Sequence, residues 1–216
     1  MIGELYQVGI LPDEAPASTS QVILPKGYCY GFPGWPTTFE IPILGKAKSI
    51  LLVRDPRDMA VSMYFSTLLS HPKPGASGGN NDNKALMPRR AEAGEMGIDK
   101  FVLTYCGGFY QEVLQSYREL ALSPSMKVFR YEDIVYTKKT WAEDICSHYG
   151  WKVTNEQLEA AVAKVDVFPD DERPDQHVRQ VHPGNYKQKL RPETIRYIEE
   201  TCAAEMGFFG YVPENL

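Results

Sequence analysis

Two short runs of mainly apolar residues stand out in the hydrophobic pattern of the chain. Residues 48–54 (Lys-Ser-Ile-Leu-Leu-Val-Arg) and residues 126–131 (Met-Lys-Val-Phe-Arg-Tyr) each have the length of one strand. A run without strict alternation of apolar and polar positions is typical of a strand that is buried on both faces. The pattern therefore predicts two strands inside a sheet.

Helices are predicted between and after these strands, where apolar positions recur every three to four residues. The first should begin at Pro56 with Asp55 as its cap and continue to about Ser70. The remaining helices are predicted over residues 98–122, 138–149, 155–164 and 192–206. Strands separated by helical segments indicate parallel strands joined by right-handed crossovers, and hence an α/β layer fold.

Three segments lack such periodicity. Residues 1–20 are predicted to be an irregular lead-in to a short strand at 21–24, and the prolines of residues 25–42 exclude a helix there. Residues 70–97 are predicted to be a mobile loop or lid, because their first part is dominated by Gly, Pro, Ser and Asn. With no internal repeat and no second core, residues 1–216 are predicted to form one domain.

Composition narrows the class of protein. A length of 216 residues with 43% hydrophobic side chains is sufficient for an ordinary core, and no apolar stretch approaches the roughly 20 residues of a membrane span. A net charge of −5 disfavours a general nucleic-acid-binding protein. Four widely spaced cysteines and the absence of a signal-peptide pattern at the N-terminus favour a reduced, cytoplasmic protein.

The junction after the first apolar strand is a candidate anion site. Arg54 follows the strand and precedes the predicted helix, so its guanidinium is expected beside unpaired N–H groups at the helix start. Ser62 lies two turns further along the same helix. The alternative is that Arg54 pairs with Asp55 or Asp58 and that Ser62 only faces solvent.

This junction resembles a motif of the sulfotransferases that use 3′-phosphoadenosine 5′-phosphosulfate (PAPS). Residues 54–62 match the family's 3′-phosphate-binding pattern Arg-Asp/Asn-Pro-x-Asp-x-x-x-Ser at every specified position. Residues 129–134 are similar to its Tyr-Glu-Asp-apolar strand end, and residues 179–187 are similar to its Arg-Lys-Gly-x-x-Gly-Asp-Trp-Lys loop. The three matches occur in the family's order.

The resemblance implies a fold, a co-substrate and a set of site residues. The fold would be a parallel sheet flanked by helices, with the three-layer architecture of P-loop nucleotide kinases. Arg54, Ser62 and Arg179 would hold the 3′-phosphate of PAPS, and Tyr131 would lie near the adenosine. The acceptor would be a small molecule or a carbohydrate, and no metal, nucleic acid or membrane would take part.

Two departures from the family pattern concern the loop at residues 179–187. Gln180-Val181 stands where the family has Lys-Gly, so one positive charge and one flexible backbone position are lost. Tyr186 replaces a tryptophan, which is a mild change for packing.

The largest departure is at the front of the chain. The family's first strand runs into a Pro-Lys-Ser-Gly-Thr loop that opens a helix and holds the 5′-phosphosulfate. Pro25-Lys26-Gly27 is a poor match, because the prolines that follow leave no room for the helix and no Ser or Thr follows the lysine. The resemblance therefore implies a fold that is incomplete at its N-terminus, with weak or absent turnover.

Lys26 and Tyr28 fit better in place of the family's later Lys-Thr-His segment. Lys26 would then stabilise the transferred sulfuryl group, and Tyr28 would stand where the family has its histidine base. A tyrosine with an ordinary pKa near 10 is a poor base at neutral pH. His182, His71 and Glu40 are alternatives for that role.

Two functions follow from these residues. The chain is predicted to be a sulfotransferase that moves a sulfuryl group from PAPS to a hydroxyl or amine, or else a degenerate module that binds 3′-phosphoadenosine without catalysis. The identity of the acceptor and the oligomeric state have no signal in the sequence.

Overall fold

The computed structural model of the chain describes residues 9–10, 28–29, 47–70, 91–169, 172 and 180–214. The strand predicted at residues 21–24, most of the predicted loop at 70–97, and the candidate residues Lys26 and Arg179 lie outside this part of the chain.

The described strands form two parallel pairs. Strand β1 pairs with β2, and β3 pairs with β4 in a register that runs from Ser49 opposite Met126 to Val53 opposite Arg130. The prediction that the two apolar strands are parallel is thus confirmed. The bounds of the described strands are Gly9–Ile10 for β1, Tyr28–Cys29 for β2, Ser49–Val53 for β3 and Met126–Arg130 for β4.

The expected burial of the two apolar strands on both faces is wrong, because Leu52 of β3 is 41% exposed and only Phe129 of β4 is buried. An apolar run indicates a strand, but the burial of each face depends on what packs against it in the fold, so neither of these strands is fully buried on both faces.

Helices make up most of the rest of the described chain. In chain order they are α1 (Pro56–Phe65), α2 (residues 91–96), α3 (Ile98–Tyr105), α4 (Gly107–Ala121), α5 (Tyr131–Ile134), α6 (Lys138–Tyr149), α7 (Asn155–Ala163), α8 (Tyr186–Lys189), α9 (Pro192–Thr201) and α10 (Ala203–Phe208). A π-helical turn, Ser66–Ser70, continues α1. No helix in the described ranges is long and apolar enough to cross a membrane.

Two predicted helices are each divided in the structure. Residues 98–122 form α3 and α4, which meet at Cys106, and residues 192–206 fall in α9 and α10, which meet at Cys202. Cys202 has φ −104° and ψ 16°, outside helical values, and the apolar spacing continues through it, so periodicity alone missed the break. Residues 91–96, the last part of the range predicted as a loop, are helical.

Gly107 explains the close packing beside the first of these breaks. A Cβ atom at Gly107 would lie 2.5 Å from the ring of Tyr197, closer than any real contact. The glycine therefore lets the α9 tyrosine lie against the start of α4.

The chain divides into two compact units, and the prediction of a single domain stays a prediction. Unit one comprises residues 1–53 and 115–167. Its interior is apolar: Phe129, Ile134 and Ile145 form one buried cluster. A second buried cluster joins α6 to α7 and consists of Ala142, Cys146, Leu158 and Ala161.

Unit two comprises residues 54–114 and 168–216. In it α1 packs against α3, α8 and α9. The Asp99 side chain accepts hydrogen bonds from the Arg191 N–H at 2.9 Å and the Thr194 hydroxyl at 2.7 Å, which satisfies the start of α9. All described residues of the predicted 3′-phosphate motifs at 54–62 and 179–187 lie in this unit.

Three described cysteines are buried thiols: Cys106, Cys146 and Cys202. Burial raises the pKa of Cys106 and of Cys202 to about 12. A thiol with so high a pKa is protonated at neutral pH, so these side chains act as core residues and not as nucleophiles.

Candidate functional site

The start of α1 is built as its sequence predicts. Asp55 caps the helix, and its Oδ1 accepts a hydrogen bond from the Arg57 N–H at 2.9 Å. Pro56 occupies the first helical turn, where its missing N–H has no cost. The helix therefore begins at Pro56, two residues after Arg54, and the Asp55 carboxylate accepts from the N–H of its second residue.

Arg57 is the most highly bonded side chain described in this region, and it is 3% exposed. Its Nε lies 2.9 Å from Asp55 Oδ1, and one terminal nitrogen lies 2.6 Å from Asp55 Oδ2, which makes a two-pronged ion pair. The other terminal nitrogen donates to Glu199 at 2.6 Å and to the Val212 carbonyl at 3.1 Å. The guanidinium also lies 4.4 Å from the centre of the Tyr186 ring.

These contacts decide what Arg57 can do. Burial by itself would lower the pKa of Arg57, but the hydrogen bonds and negative charge of Asp55 outweigh burial, so that pKa is raised. The guanidinium is charged, and all three of its nitrogens donate to oxygen atoms of the protein. Arg57 is therefore a structural cation and not a ligand for an external anion.

Asp58 connects α1 to the loop that precedes α8. This carboxylate is 1% exposed, and it accepts hydrogen bonds from the Gly184 N–H at 2.7 Å and the Tyr186 N–H at 3.0 Å. Gly184 has φ +84°, a conformation that favours glycine. One aspartate thus joins segments that lie more than 120 residues apart in the chain.

The charge on Asp58 depends on its surroundings. Burial raises its pKa, while the two N–H donors and the positive charge of Arg54 oppose part of that rise. Arg54 is therefore close enough to stabilise this carboxylate, and Arg54 itself is only half-buried. The ion pair described for Asp55 is with Arg57. It is a different pair from the one between Asp55 and Arg54 that the sequence leaves open.

Ser62 lies on the face of α1 that carries Asp58. The two residues are four apart in the helix, so their side chains lie one turn apart on the same face. Ser62 is half-buried. The Ser62 hydroxyl thus lies on the same helix face as Asp58, the residue that bonds to Gly184 and Tyr186.

The far end of the loop is held by the segment after α10. The Tyr186 hydroxyl donates to Glu214 Oε1 at 2.6 Å, and Lys187 Nζ lies 2.8 Å from the same oxygen. Burial and the bond to Glu214 raise the pKa of Tyr186, so its hydroxyl stays protonated. Tyr186 therefore uses its hydroxyl as well as its ring in the position where the family has tryptophan.

Three other candidate residues are at least partly described, whereas Lys26 and Arg179 lie outside the described residues. Tyr131 is the first residue of α5 in unit one and is half-buried. Tyr28 belongs to β2, of which only the backbone is described. His182 is exposed, and its ring stacks on Phe168 with 6.3 Å between centroids.

Sequence reasoning missed the residues that hold the site together. The sequence indicates Asp58 as a possible partner of Arg54 and as a specified position of the family pattern, but it does not indicate the loop to which Asp58 bonds. Arg57 occupies an unspecified position of the motif, and Glu199 and Glu214 lie far along the chain without any local signal.

The family follows from comparison with known proteins. The model of the sulfotransferase domain family matches residues 40–210 of the chain. The chain therefore belongs to the sulfotransferase family.

The crystal structure of mouse sulfotransferase SULT7A1 complexed with PAP resembles this structure with a TM-score of 0.64. The sequence identity is 16%, and the match covers 95% of this chain and 77% of that one. A search of curated protein sequences gives no significant match. At this identity the likeness concerns the fold, and it confirms the predicted helix-rich α/β architecture with a parallel sheet.

Proposed function

We propose that this protein binds PAPS and transfers its sulfuryl group to a hydroxyl or amine of a small-molecule or carbohydrate acceptor. In this proposal Arg54 and Ser62, together with Arg179, bind the 3′-phosphate. Tyr131 contacts the adenosine.

The observation that supports the proposal most strongly is the pair of hydrogen bonds from Gly184 and Tyr186 to Asp58. The family resemblance assigns the motif at residues 54–62 and the loop at residues 179–187 to the same phosphate. The bonds of Asp58 hold these two segments next to each other, as a ligand shared by both segments would need.

The charges in this region favour Arg54 as the phosphate ligand. Arg57 donates to protein oxygen atoms with all three guanidinium nitrogens, and the half-buried Arg54 directly precedes the Asp55 cap of a ten-residue helix. The N-terminus of such a helix carries partial positive charge, which favours a bound anion. A serine hydroxyl two turns along supplies a further donor of the kind that binds phosphate oxygens.

The transfer itself needs a base and a cation at the sulfuryl group. The acceptor oxygen or nitrogen attacks sulfur and forms the new bond, while the bond from sulfur to the bridging phosphate oxygen breaks and 3′-phosphoadenosine 5′-phosphate (PAP) leaves. We assign to Lys26 the stabilisation of the negative charge that develops on the bridging oxygen. We assign to Tyr28 the role of the base, which in its ionised form accepts the proton that the acceptor loses. Positioning and electrostatics supply most of the acceleration in group transfers of this kind.

A second function, nucleotide binding without catalysis, is favoured by one feature of the chain. The position of the family's histidine base is occupied by Tyr28, whose ordinary pKa near 10 makes it a weak base at neutral pH. Such a module would keep the contacts of Arg54 and Ser62 with the 3′-phosphate.

Calorimetric titration with PAP tests the binding site shared by both functions. We expect Arg54→Ala to weaken PAP binding by about 10- to 100-fold, because charge-assisted hydrogen bonds to the phosphate are lost. Arg196→Ala is the matched control, since Arg196 is an exposed arginine on α9 of the same unit. No binding of PAP to the parent chain would contradict both functions.

A transfer assay with radiolabelled PAPS separates the two functions. Incorporation of label into a panel of phenols, alcohols, amines and sugars indicates a sulfotransferase. PAP binding that depends on Arg54, with no transfer to any member of the panel, indicates the binding module.

A further inference from the structure

Glu214 lies beyond the family motifs, yet it touches the last two residues of the loop at 179–187. Its Oε1 accepts from the Tyr186 hydroxyl at 2.6 Å and lies 2.8 Å from Lys187 Nζ. Both bonds lower the pKa of Glu214, so the group is a carboxylate at neutral pH. The segment after α10 thus contacts the loop through a hydrogen bond and an ion pair of Glu214.

The backbone of Glu214 continues the connection to the start of α1. Its N–H donates to Glu199 Oε1 at 2.8 Å, and the same oxygen accepts from Arg57 at 2.6 Å. Arg57 in turn forms the two-pronged pair with Asp55, the residue next to Arg54. A continuous path of hydrogen bonds therefore runs from Lys187 through Glu214, Glu199 and Arg57 to the helix cap.

This path is one described connection between the two proposed phosphate-binding segments, and another is the contact of the Arg57 guanidinium with the Tyr186 ring, 4.4 Å from its centre. A third is the direct bond from Asp58 to the Gly184 and Tyr186 amides. Asp58 bonds to the backbone of the loop, whereas Glu214 bonds to the side chains of Tyr186 and Lys187. The loop is therefore bonded both to α1 and to Glu214.

We propose that Glu214 is a positioning residue for the nucleotide site: it holds residues 184–187 against α1, so that docking of Glu214 and binding of the 3′-phosphate strengthen each other. This inference rests on the proposed function for the identity of the ligand. The Glu214 side chain is 28% exposed, whereas that of Glu199 is 7% exposed, so Glu214 is the more accessible member of the path.

Amide hydrogen exchange of the ligand-free protein tests the positioning role directly. We expect Glu214→Ala to speed exchange at Gly184 and Tyr186 by about tenfold, the effect of losing one hydrogen bond to a charged group. Glu200→Ala, an exposed glutamate on α9, is the matched control and should leave these amides unchanged. Unchanged exchange in Glu214→Ala, or equal acceleration of the buried α4 amides of Val113 and Leu114, would overturn the proposal.

Tyr186→Phe supplies a double-mutant cycle, because it removes the hydroxyl and keeps the ring below Arg57. We expect the double variant Tyr186→Phe/Glu214→Ala to exchange no faster at Gly184 than Glu214→Ala alone. Fully additive effects would show that the two side chains act independently and would overturn the proposal.

PAP binding tests the coupling to the ligand. We expect Glu214→Ala to bind PAP about tenfold more weakly, Glu214→Gln to lie between it and the parent, and saturating PAP to slow exchange of the Glu214 amide in the parent by a similar factor. Unchanged PAP affinity in Glu214→Ala would overturn the coupling. If the parent binds no PAP, the proposed function fails, while the exchange at Gly184 and Tyr186 still decides whether Glu214 positions the loop.

Discussion

One buried region of unit one and one buried region of unit two are held by different interactions. Around β4, the side chains of Phe129, Ile134 and Ile145 exclude water by apolar contact alone. Around the start of α1, Asp55, Arg57 and Asp58 are all at most 5% exposed and are held by hydrogen bonds and ion pairs. Apolar contact is non-directional, whereas each bond to a buried charge depends on the position of its partner.

The difference predicts where each unit tolerates change. An apolar cluster loses free energy roughly in proportion to the atoms removed from it. A buried ion pair contributes little net stability while intact, but it leaves an uncompensated charge when one partner is removed. The start of α1 should therefore be more sensitive to conservative substitutions than the apolar cluster around β4.

The largest effect is expected from Arg57→Ala. We expect this change to lower the free energy of unfolding by about 3–5 kcal/mol, because Asp55 and Glu199 would remain buried without their cation. Urea unfolding followed by circular dichroism measures the loss. Arg57→Lys keeps the charge but not the planar fork, and we expect it to lose about 1–3 kcal/mol. A loss below about 1 kcal/mol in Arg57→Ala would contradict the structural role assigned to the network.

The next effect concerns the apolar packing within unit two. We expect Gly107→Ala to cost about 1–3 kcal/mol, because the new methyl group would overlap the Tyr197 ring. Gly108→Ala is the matched control: no atom lies within 4 Å of a Cβ at that position, so we expect a stabilisation of up to about 1 kcal/mol. Thermal unfolding of the two variants should move in opposite directions, and a shared direction would contradict the close approach of α4 and α9.

A conservative change in unit one sharpens the comparison with Arg57→Lys. Ile145 is 1% exposed. We expect Ile145→Val to cost about 0.5–1.5 kcal/mol, the transfer and cavity terms of one methylene. Urea unfolding again gives the value. If Ile145→Val destabilises the protein more than Arg57→Lys does, the contrast between the units is wrong.

The smallest effect is a pH dependence at the partly exposed end of the network. The bonds from Lys187 and Tyr186 lower the pKa of Glu214 below its ordinary value of 4.5. Because the lower pKa belongs to the folded state, this stabilisation is complete above pH 4.5 and is lost as the pH falls through the lowered value. We expect the free energy of unfolding of the parent to exceed that of Glu214→Gln by less than about 1 kcal/mol near neutral pH.

Thermal midpoints of the parent and Glu214→Gln, compared from neutral pH down to about pH 3, measure this dependence. The difference between the thermal midpoints of the parent and Glu214→Gln should become smaller in acid. The midpoint of Glu200→Gln should stay equal to that of the parent at every pH. A difference between the parent and Glu214→Gln that stays constant across the range would show that Glu214 acts without its charge.

Much of the secondary structure follows from the sequence. The helix predicted at residues 138–149 has those bounds in the structure, and β3 and β4 lie within one or two residues of the predicted strands. Asp55 caps α1 as predicted. These features depend on spacing and on contacts between near neighbours in the chain, so a local pattern is sufficient to predict them.

The partners of the charged side chains could not be predicted in the same way. In the sequence, Asp55, Arg57 and Asp58 could form several different ion pairs with one another and with Arg54. No neighbouring residue in the sequence excludes any of these pairs. The structure assigns Asp58 to the amides of Gly184 and Tyr186, and Arg57 to Asp55 and Glu199. Glu199 lies 142 residues from Arg57 in the chain, a distance at which no sequence period carries information.

The sequence by itself determined the α/β pattern, the start of α1 and the three ordered motifs by which the chain resembles the sulfotransferases. Only the tertiary structure decided that Arg57 is a structural cation, that Asp58 joins the segments at residues 54–62 and 179–187, and that Glu214 bonds to Tyr186 and Lys187. Local structure depends on propensity and periodicity, which single segments encode. The partner of a buried charge depends on which distant oxygen or nitrogen atom the completed fold brings within hydrogen-bonding distance.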